Sequence, residues 1–180
     1  MIEGLPSGVL FDETCHGYTY NGLTAPSVTG LIHEWIGTGR RYINVFNKQS
    51  VYTDTFEEAG RFGTDVHMYC KLFFTSGVNW DWLLDHCPDI YPLIKQLEEW
   101  ADKMLKKTLL VEMPMYSRLY GYFGTPDLLG IDNFGDLILV DFKTGHFDMV
   151  GPQTSAYKKL IIENLPDYDP GITGWEIKRC

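Results

Sequence analysis

The sequence predicts an α/β fold in which helices surround a central sheet. Apolar residues recur at three- and four-residue spacing over 57–74 and again over 90–105, which is typical of amphipathic helices. Three apolar runs with the length of strands follow, at about 109–116, 120–130 and 136–143. Pro152 favours the start of a further helix over 153–165, and 175–179 is typical of a last strand. Helices and strands in this order favour a sheet covered by helices.

The first part of the chain carries turn and capping signals. Residues 18–23 are a predicted hairpin around Asn21-Gly22, a pair that accepts the positive φ angles of tight turns. Ser27 is placed to cap a short helix that runs to Trp35. The segment 37–41 is predicted to be a flexible basic loop.

Two glycines lie inside the predicted helix 57–74. Gly60 and Gly63 each cost that helix up to ~1 kcal/mol relative to alanine. Such a cost indicates a close approach to the helix backbone by another element or by a bound ligand. The segment 79–88, which follows this helix, is predicted to be a loop or a short helix.

Length and composition are those of one globular domain. The 180 residues are 44% hydrophobic and 22% charged, and they predict one domain over 1–180. An N-terminal extension is expected at about 1–55 and a core that carries the motifs at about 56–180. No apolar run approaches the ~20 residues of a membrane span, and the N-terminus lacks signal-peptide features. The expected location is therefore cytoplasmic, with no membrane partner.

Two acids and a lysine lie at the ends of adjacent predicted strands. Asp141 and Lys143 follow an apolar strand, and Asp127 lies 14 residues before Asp141. Because residues i and i+2 of a strand face the same side, Asp141 and Lys143 point into one site, while Phe142 packs the other way. The turn at 132–135 joins the two strands, so Asp127 can approach from the neighbouring strand. Two carboxylates and a lysine suit a divalent cation that faces a phosphate.

These motifs resemble those of the PD-(D/E)XK nuclease superfamily. Pro126-Asp127 followed by Asp141-Phe142-Lys143 carries the resemblance. Two further motifs are similar to the RecB-like exonuclease branch, Gly63-Thr64-Asp65-Val66-His67 and Gln153-Thr154-Ser155-Ala156-Tyr157. The segment 18–29 is similar to the N-terminal part of phage and mitochondrial exonucleases of this branch. The resemblance implies a restriction-endonuclease-like core, a mixed central sheet flanked by helices.

The resemblance also implies a set of metal ligands. Asp127 and Asp141 would bind Mg²⁺ or Mn²⁺ through carboxylate oxygens, together with the backbone carbonyl of Phe142. His67 would add a nitrogen ligand from its helix. Glu112, which fits the first core strand of the family, would contact a metal directly or through water.

Three further residues would act beside the metal. Lys143 would orient the attacking water and offset charge in the transition state. Gln153 and Tyr157, four residues apart on one helix face, would steady the site and the nearby DNA backbone. Every one of these residues also has a structural interpretation. The alternatives are a turn cap for Asp127, a strand-end acid for Asp141, an ion pair with Asp141 for Lys143, a packing role for His67, a solvent-facing strand acid for Glu112 and plain helix surface for Gln153 and Tyr157.

The function that the resemblance implies is a metal-dependent exonuclease. It would hydrolyse phosphodiester bonds at DNA ends or in single strands, in recombination, repair or phage DNA metabolism. The host cytoplasm would be its location if a phage encodes it. The alternatives are a structure-specific endonuclease or nickase, and a non-catalytic, nuclease-derived DNA-binding adaptor. No disulfide framework is expected, because Cys15, Cys70, Cys87 and Cys180 are widely spaced and form no C-x-x-C motif. No iron–sulfur cluster is expected, because the chain has no C-terminal cluster of cysteines.

The net charge of −9 opposes DNA binding, because DNA affinity depends mainly on cationic contacts to phosphates. Binding nevertheless follows the local distribution of charge rather than its sum. A local basic groove is predicted from Arg40, Arg41, Lys48, Arg61, Lys71 and Arg118. We therefore expect weak DNA binding by the chain alone, or binding assisted by a protein partner in recombination or repair.

Overall fold

The computed structural model describes residues 9–12, 17–36, 51–144, 150–168 and 176–179. The strands in this part of the chain are β1 (Val9–Asp12), β2 (Gly17–Tyr20), β3 (Leu23–Thr24), β4 (Leu105–Val111), β5 (Met115–Ser117), β6 (Tyr122–Gly124), β7 (Leu128–Asp132), β8 (Leu137–Val140) and β9 (Ile177–Arg179). The helices are α1 (Val28–Ile36), α2 (Val51–Thr75), α3 (Trp80–His86), α4 (Tyr91–Met104) and α5 (Val150–Tyr168). Within these ranges, no helix is long and apolar enough to cross a membrane.

A four-stranded sheet in the order β4-β7-β8-β9 forms the centre of the molecule. The pairs β4–β7 and β7–β8 are antiparallel, whereas β8–β9 is parallel, so the sheet is mixed. Strands β1, β2 and β3 form a separate antiparallel sheet, and β5 pairs with β6. The chain is therefore α/β with a mixed sheet flanked by helices, as the sequence predicts.

Two clusters of buried apolar side chains hold the helices in place. The first joins the central sheet to α1 and α5, and its fully buried members include Leu129, Leu139, Leu160 and Ile161. The second joins α2, α3 and α4, which also contact each other directly. Each buried leucine or isoleucine contributes ~1.5–3 kcal/mol relative to an exposed one. The two clusters fix α2 and α5 beside the sheet, and both helices carry predicted site residues.

Strand β6 approaches α1 and α5 closely at Gly124. A Cβ atom at this position would lie 2.6 Å from Leu160 Cδ1, 2.8 Å from Tyr157 Cε1 and 3.0 Å from Val28 Cγ2. These contacts leave no room for a side chain. The chain just before the strand-end acid Asp127 is therefore held tightly against two helices.

The predicted helices are confirmed, with different ends. Helix α2 extends the predicted helix 57–74 back to Val51, and α5 is longer than predicted at both ends. The segment predicted as a loop or short helix contains α3. Ser27 caps α1 as predicted, because its Oγ accepts the N–H of Gly30 at 3.0 Å. The predicted basic loop at 37–41 lies outside the described residues.

The extents of two predicted strands are wrong, because each divides into two. The predicted strand 109–116 covers the end of β4 and the start of β5, and 120–130 covers β6 and most of β7. Glu112 interrupts the first, since its φ of 42° lies far from strand values. Pro126 interrupts the second, since it has no N–H for the strand ladder. Strand β1 was not predicted at all.

Candidate active site

The two predicted metal-binding acids lie at the same end of the central sheet. Asp127 directly precedes β7 and Asp141 directly follows β8. Leu128 pairs with Val140 across these antiparallel strands, so the two acids lie side by side. The turn at the opposite end is fixed by Asp132, whose Oδ1 accepts the N–H groups of residues 134 and 136, each at 2.9 Å. The predicted hairpin turn is confirmed.

Asp127 is buried and held by two neighbours. Its Oδ2 accepts the backbone N–H of Phe142 at 2.6 Å, and its Oδ1 lies 3.7 Å from His67 Nδ1 on α2. Burial raises the pKa of Asp127 to about 6, and the negative charge of Asp141 adds to this rise. His67, the Phe142 N–H and Lys143 oppose it. The surroundings of Asp127 therefore favour its protonated form more than water does.

Asp141 and Lys143 form an ion pair. Lys143 Nζ lies 2.6 Å from Asp141 Oδ2, and the Asp141 side chain is only 3% exposed. Apart from this contact, neither carboxylate oxygen of Asp141 has a hydrogen-bond donor among the described residues. Phe142 packs instead in the cluster of α2, α3 and α4. The arrangement of the three residues agrees with the sequence prediction, and it includes the ion pair that was the structural alternative for Lys143.

Glu112 lies beside Asp127 but faces a different cation. Its N–H donates to the backbone carbonyl of Asp127 at 2.8 Å, in the left-handed conformation described above. Its Oε2 lies 3.3 Å from Lys71 Nζ on α2. The sequence placed Lys71 in a basic groove and did not predict this pair. One signal was available, because Lys71 follows His67 by four residues and so shares its helix face.

Gln153 and Tyr157 contact each other on α5. Gln153 Nε2 donates to Tyr157 Oη at 3.1 Å. Burial raises the pKa of Tyr157 to about 12, the Gln153 hydrogen bond lowers it, and the negative charges of Asp127 and Asp141 raise it further. Tyr157 is buried in the first apolar cluster and is therefore not plain helix surface, while a role of the pair in the site stays a prediction.

Two clefts border α2 at this site. The first, of about 510 Å³, is lined by Gly63, Thr64, His67, Met68, Lys71 and Glu112. The second, of about 880 Å³, contains Asp141 and Lys143 together with apolar side chains of α2 and α4. His67 and Glu112 therefore open into the first cleft, and Asp141 and Lys143 open into the second. The buried Asp127 contacts His67 of the first and the Phe142 backbone of the second.

The predicted close approach at the α2 glycines is confirmed for one of them. A Cβ atom at Gly63 would lie 3.1 Å from Thr144 Oγ1, just after Lys143. Gly60 has no such neighbour within 4 Å among the described residues. The missing side chain at Gly63 thus lets α2 pack against the segment that carries Lys143.

The donor atoms fit a divalent cation in part. Asp127 and Asp141 supply hard carboxylate oxygens, which Mg²⁺ and Mn²⁺ prefer, and each has one close partner, the Phe142 N–H for Asp127 and the Lys143 ammonium for Asp141. His67 Nδ1 lies next to Asp127. In the described ranges, however, no three side chains of His, Cys, Asp or Glu surround one common point. Glu112, whose nearest cation is Lys71, is the predicted ligand that fits least well.

The predicted basic groove is only partly described. Arg40, Arg41 and Lys48 lie outside the described residues. Arg61 and Lys71 lie on α2, and Arg118 lies in the turn between β5 and β6.

No protein-family model matches the chain, and no curated protein or solved structure is significantly similar to it.

Proposed function

We propose that the chain is a metal-dependent deoxyribonuclease with a restriction-endonuclease-like core. It hydrolyses phosphodiester bonds at DNA ends or in single strands, as an exonuclease of recombination, repair or phage DNA metabolism. The observation that carries this proposal is the pair of buried acids, Asp127 and Asp141, with Lys143 beside them at one end of the sheet. The motif resemblance gives the same assignment from the sequence.

The charge balance supports a cation at this pair. Asp141 has one partner, Lys143, for two buried oxygens. Asp127 has one backbone N–H and a histidine at 3.7 Å. Two adjacent buried carboxylates are expensive unless a cation compensates them. A divalent ion would supply that charge, and it would also polarise the phosphate and activate water.

Each residue then has a defined task. Asp127 and Asp141 would hold the ion, with His67 and the Phe142 carbonyl as further ligands. The Phe142 N–H orients the Asp127 carboxylate through its hydrogen bond. Lys143 stands next to Asp141, where its ammonium can orient water and offset negative charge on the phosphate.

DNA digestion with purified protein tests this proposal. Linear DNA should be degraded with Mg²⁺ or Mn²⁺, and excess EDTA should stop the reaction. Asp141→Ala and Lys143→Ala should each lower the cleavage rate by at least ~10²–10⁴-fold. Asp102→Ala and Lys103→Ala, on the exposed face of α4, are matched controls that should cleave normally.

The substrate form separates the exonuclease from its enzymatic alternative. Covalently closed circles should resist digestion if the enzyme needs a DNA end. Efficient cutting of closed single-stranded circles would instead identify an endonuclease. Full activity in EDTA, or normal activity of either site variant, would refute the metal-dependent mechanism.

The non-catalytic adaptor has one observation in its favour. The Lys143–Asp141 ion pair at 2.6 Å is also what a purely structural role for both residues would give. An adaptor would bind DNA equally with and without a divalent ion and would leave linear DNA intact in the same digestion.

A further inference from the structure

The turn between β5 and β6 is fixed by one carboxylate of α5. Glu163 accepts hydrogen bonds from Ser117 Oγ at 2.7 Å, Arg118 N at 2.6 Å and Leu119 N at 3.1 Å. Hydrogen bonds to a charged acceptor are among the stronger ones in proteins. The turn is therefore rigid, and it presents Leu119 and Tyr120, which are 74% and 56% exposed.

An apolar groove of about 490 Å³ lies beside this turn. Its walls include Val28, Leu31 and Ile32 of α1, and Tyr120 and Lys159 stand on the other side. Lys159 Nζ lies 4.8 Å from the centroid of the Tyr120 ring. The groove thus combines an apolar wall, an exposed aromatic ring and a cation.

Lys159 carries a charge that none of the described acids compensates. In the ranges that the structure describes, no carboxylate forms an ion pair with it. Five other described lysines have acidic partners, namely Lys71, Lys95, Lys103, Lys143 and Lys178, whereas Lys106, Lys107 and Lys158 resemble Lys159 in this respect. Lys159 is therefore available to an anionic ligand in the groove.

The groove shares one lining residue with a neighbouring cleft that contains a predicted site residue. Val28 lines both this groove and a second cleft, of about 310 Å³, which also contains Thr125 and Tyr157. Thr125 lies two residues before Asp127, and the pKa of Tyr157 responds to the charges of both site acids. The groove and this cleft therefore lie on neighbouring parts of α5, with Lys159 two residues after Tyr157.

We infer that this groove binds an unpaired segment of the DNA strand that the enzyme cleaves. The inference rests on the proposed function and names its substrate as a single strand or a strand with a frayed end. Tyr120 stacks on a base, and Lys159 contacts a backbone phosphate. Exposed base faces suit an apolar wall with an aromatic ring. A duplex hides these faces and would need several cationic contacts to its phosphates.

Binding of a fluorescent oligothymidylate of about 15 nucleotides, measured by anisotropy, tests the inference. Ca²⁺ is used in place of Mg²⁺ so that binding occurs without turnover. Tyr120→Ala should weaken binding by about 5- to 100-fold, and Tyr120→Phe should restore it, because the ring is kept. Lys159→Met should lower affinity and flatten the dependence of log K on log salt by about 0.7.

Two exposed residues far along the chain from this groove serve as matched controls. Phe134→Ala removes an aromatic ring from the turn between β7 and β8, and Lys103→Met removes an exposed lysine from α4. Both should bind the oligonucleotide like the wild type. Thermal unfolding of Tyr120→Ala should match that of Tyr120→Phe, since the side chain is largely exposed.

Wild-type affinity in Tyr120→Ala and Lys159→Met would overturn the inference, as would equal losses in the two controls. The inference would also be wrong if a blunt duplex bound more tightly than the single strand. It would be wrong as well if an amphipathic peptide occupied the groove while the oligonucleotide stayed bound.

The same experiments distinguish a failure of the groove inference from a failure of the proposed function. If the single strand binds through Tyr120 but no DNA is cleaved with Mg²⁺, the groove stands and the nuclease assignment falls. If DNA is cleaved while both groove variants bind the oligonucleotide normally, the nuclease assignment stands and the groove inference falls.

Discussion

Replacing Asp127 by asparagine should stabilise the metal-free protein at neutral and higher pH. The native structure buries this carboxylate beside Asp141 and raises its pKa from 3.8 to about 6. Asparagine has the same shape, and its Oδ1 can still accept the Phe142 N–H that Asp127 accepts at 2.6 Å. The substitution therefore removes a buried negative charge and keeps the hydrogen bond.

The magnitude follows from the pKa difference between the native and unfolded states. A tenfold change in an ionisation constant corresponds to about 1.4 kcal/mol, so ionised Asp127 costs the native state up to roughly 3 kcal/mol. The native state binds the proton more tightly than the unfolded state. The free energy of unfolding of the wild type should therefore fall as pH rises from about 4 to about 6, with the full cost present above pH 6. Asp127→Asn should lack this fall.

Urea unfolding in EDTA, followed by circular dichroism at several pH values, measures the difference. The variant should exceed the wild type by about 1–3 kcal/mol near pH 8, and the two should converge near pH 4. Asp102→Asn, an exposed acid on α4, is the control and should change stability by less than about 0.5 kcal/mol. A variant less stable than the wild type at pH 8, or a difference that does not depend on pH, would refute the argument. Added Mg²⁺ should stabilise only the wild type if Asp127 is a ligand.

Two other predictions concern the packing at Gly124 and the metal-binding role of His67. Gly124→Ala should lower the free energy of unfolding by ~1–3 kcal/mol in urea titrations, because a Cβ there would lie 2.6 Å from Leu160 Cδ1. Gly60→Ala in the open part of α2 should instead raise it by up to ~1 kcal/mol, and equal effects of the two would contradict the packing. His67→Ala should weaken Mn²⁺ binding in calorimetric titration more than Mg²⁺ binding, because Mn²⁺ accepts nitrogen ligands more readily. His86→Ala, on α3, is the control, and unchanged Mn²⁺ affinity in both variants would remove His67 from the site.

The parts of the fold that the sequence predicted rest on local signals. Asn21-Gly22 gave the first hairpin because both residues accept positive φ, and they adopt 50° and 80°. The apolar stripe of α4 identified that helix. The side-by-side placement of Asp127 and Asp141 followed from two strands joined by a short turn, which fixes the register of the pair. Each of these features is set within about twenty residues of chain.

The features that the sequence did not predict depend on contacts between segments that are distant in the chain. Nothing local marks Glu112 for a φ of 42°, since glutamate rarely adopts it. In this conformation its N–H donates to the carbonyl of Asp127, which directly precedes β7. Glu163, which fixes the turn at 118–121, is likewise 46 residues away from its partner Ser117. Hydrophobic periodicity carries no information about such pairs.

The Lys71–Glu112 pair changes the ligand set that the sequence alone suggested. The distance of 3.3 Å between Lys71 Nζ and Glu112 Oε2 means that Glu112 already has a compensating charge. Asp141 has only Lys143 for two buried oxygens, and Asp127 has no lysine or arginine in ion-pair contact among the described residues. A cation at this site is attracted most strongly by the acids whose negative charge is least compensated. We therefore propose Asp127 and Asp141 as the first ligands of the metal, which Glu112 would join only by giving up Lys71.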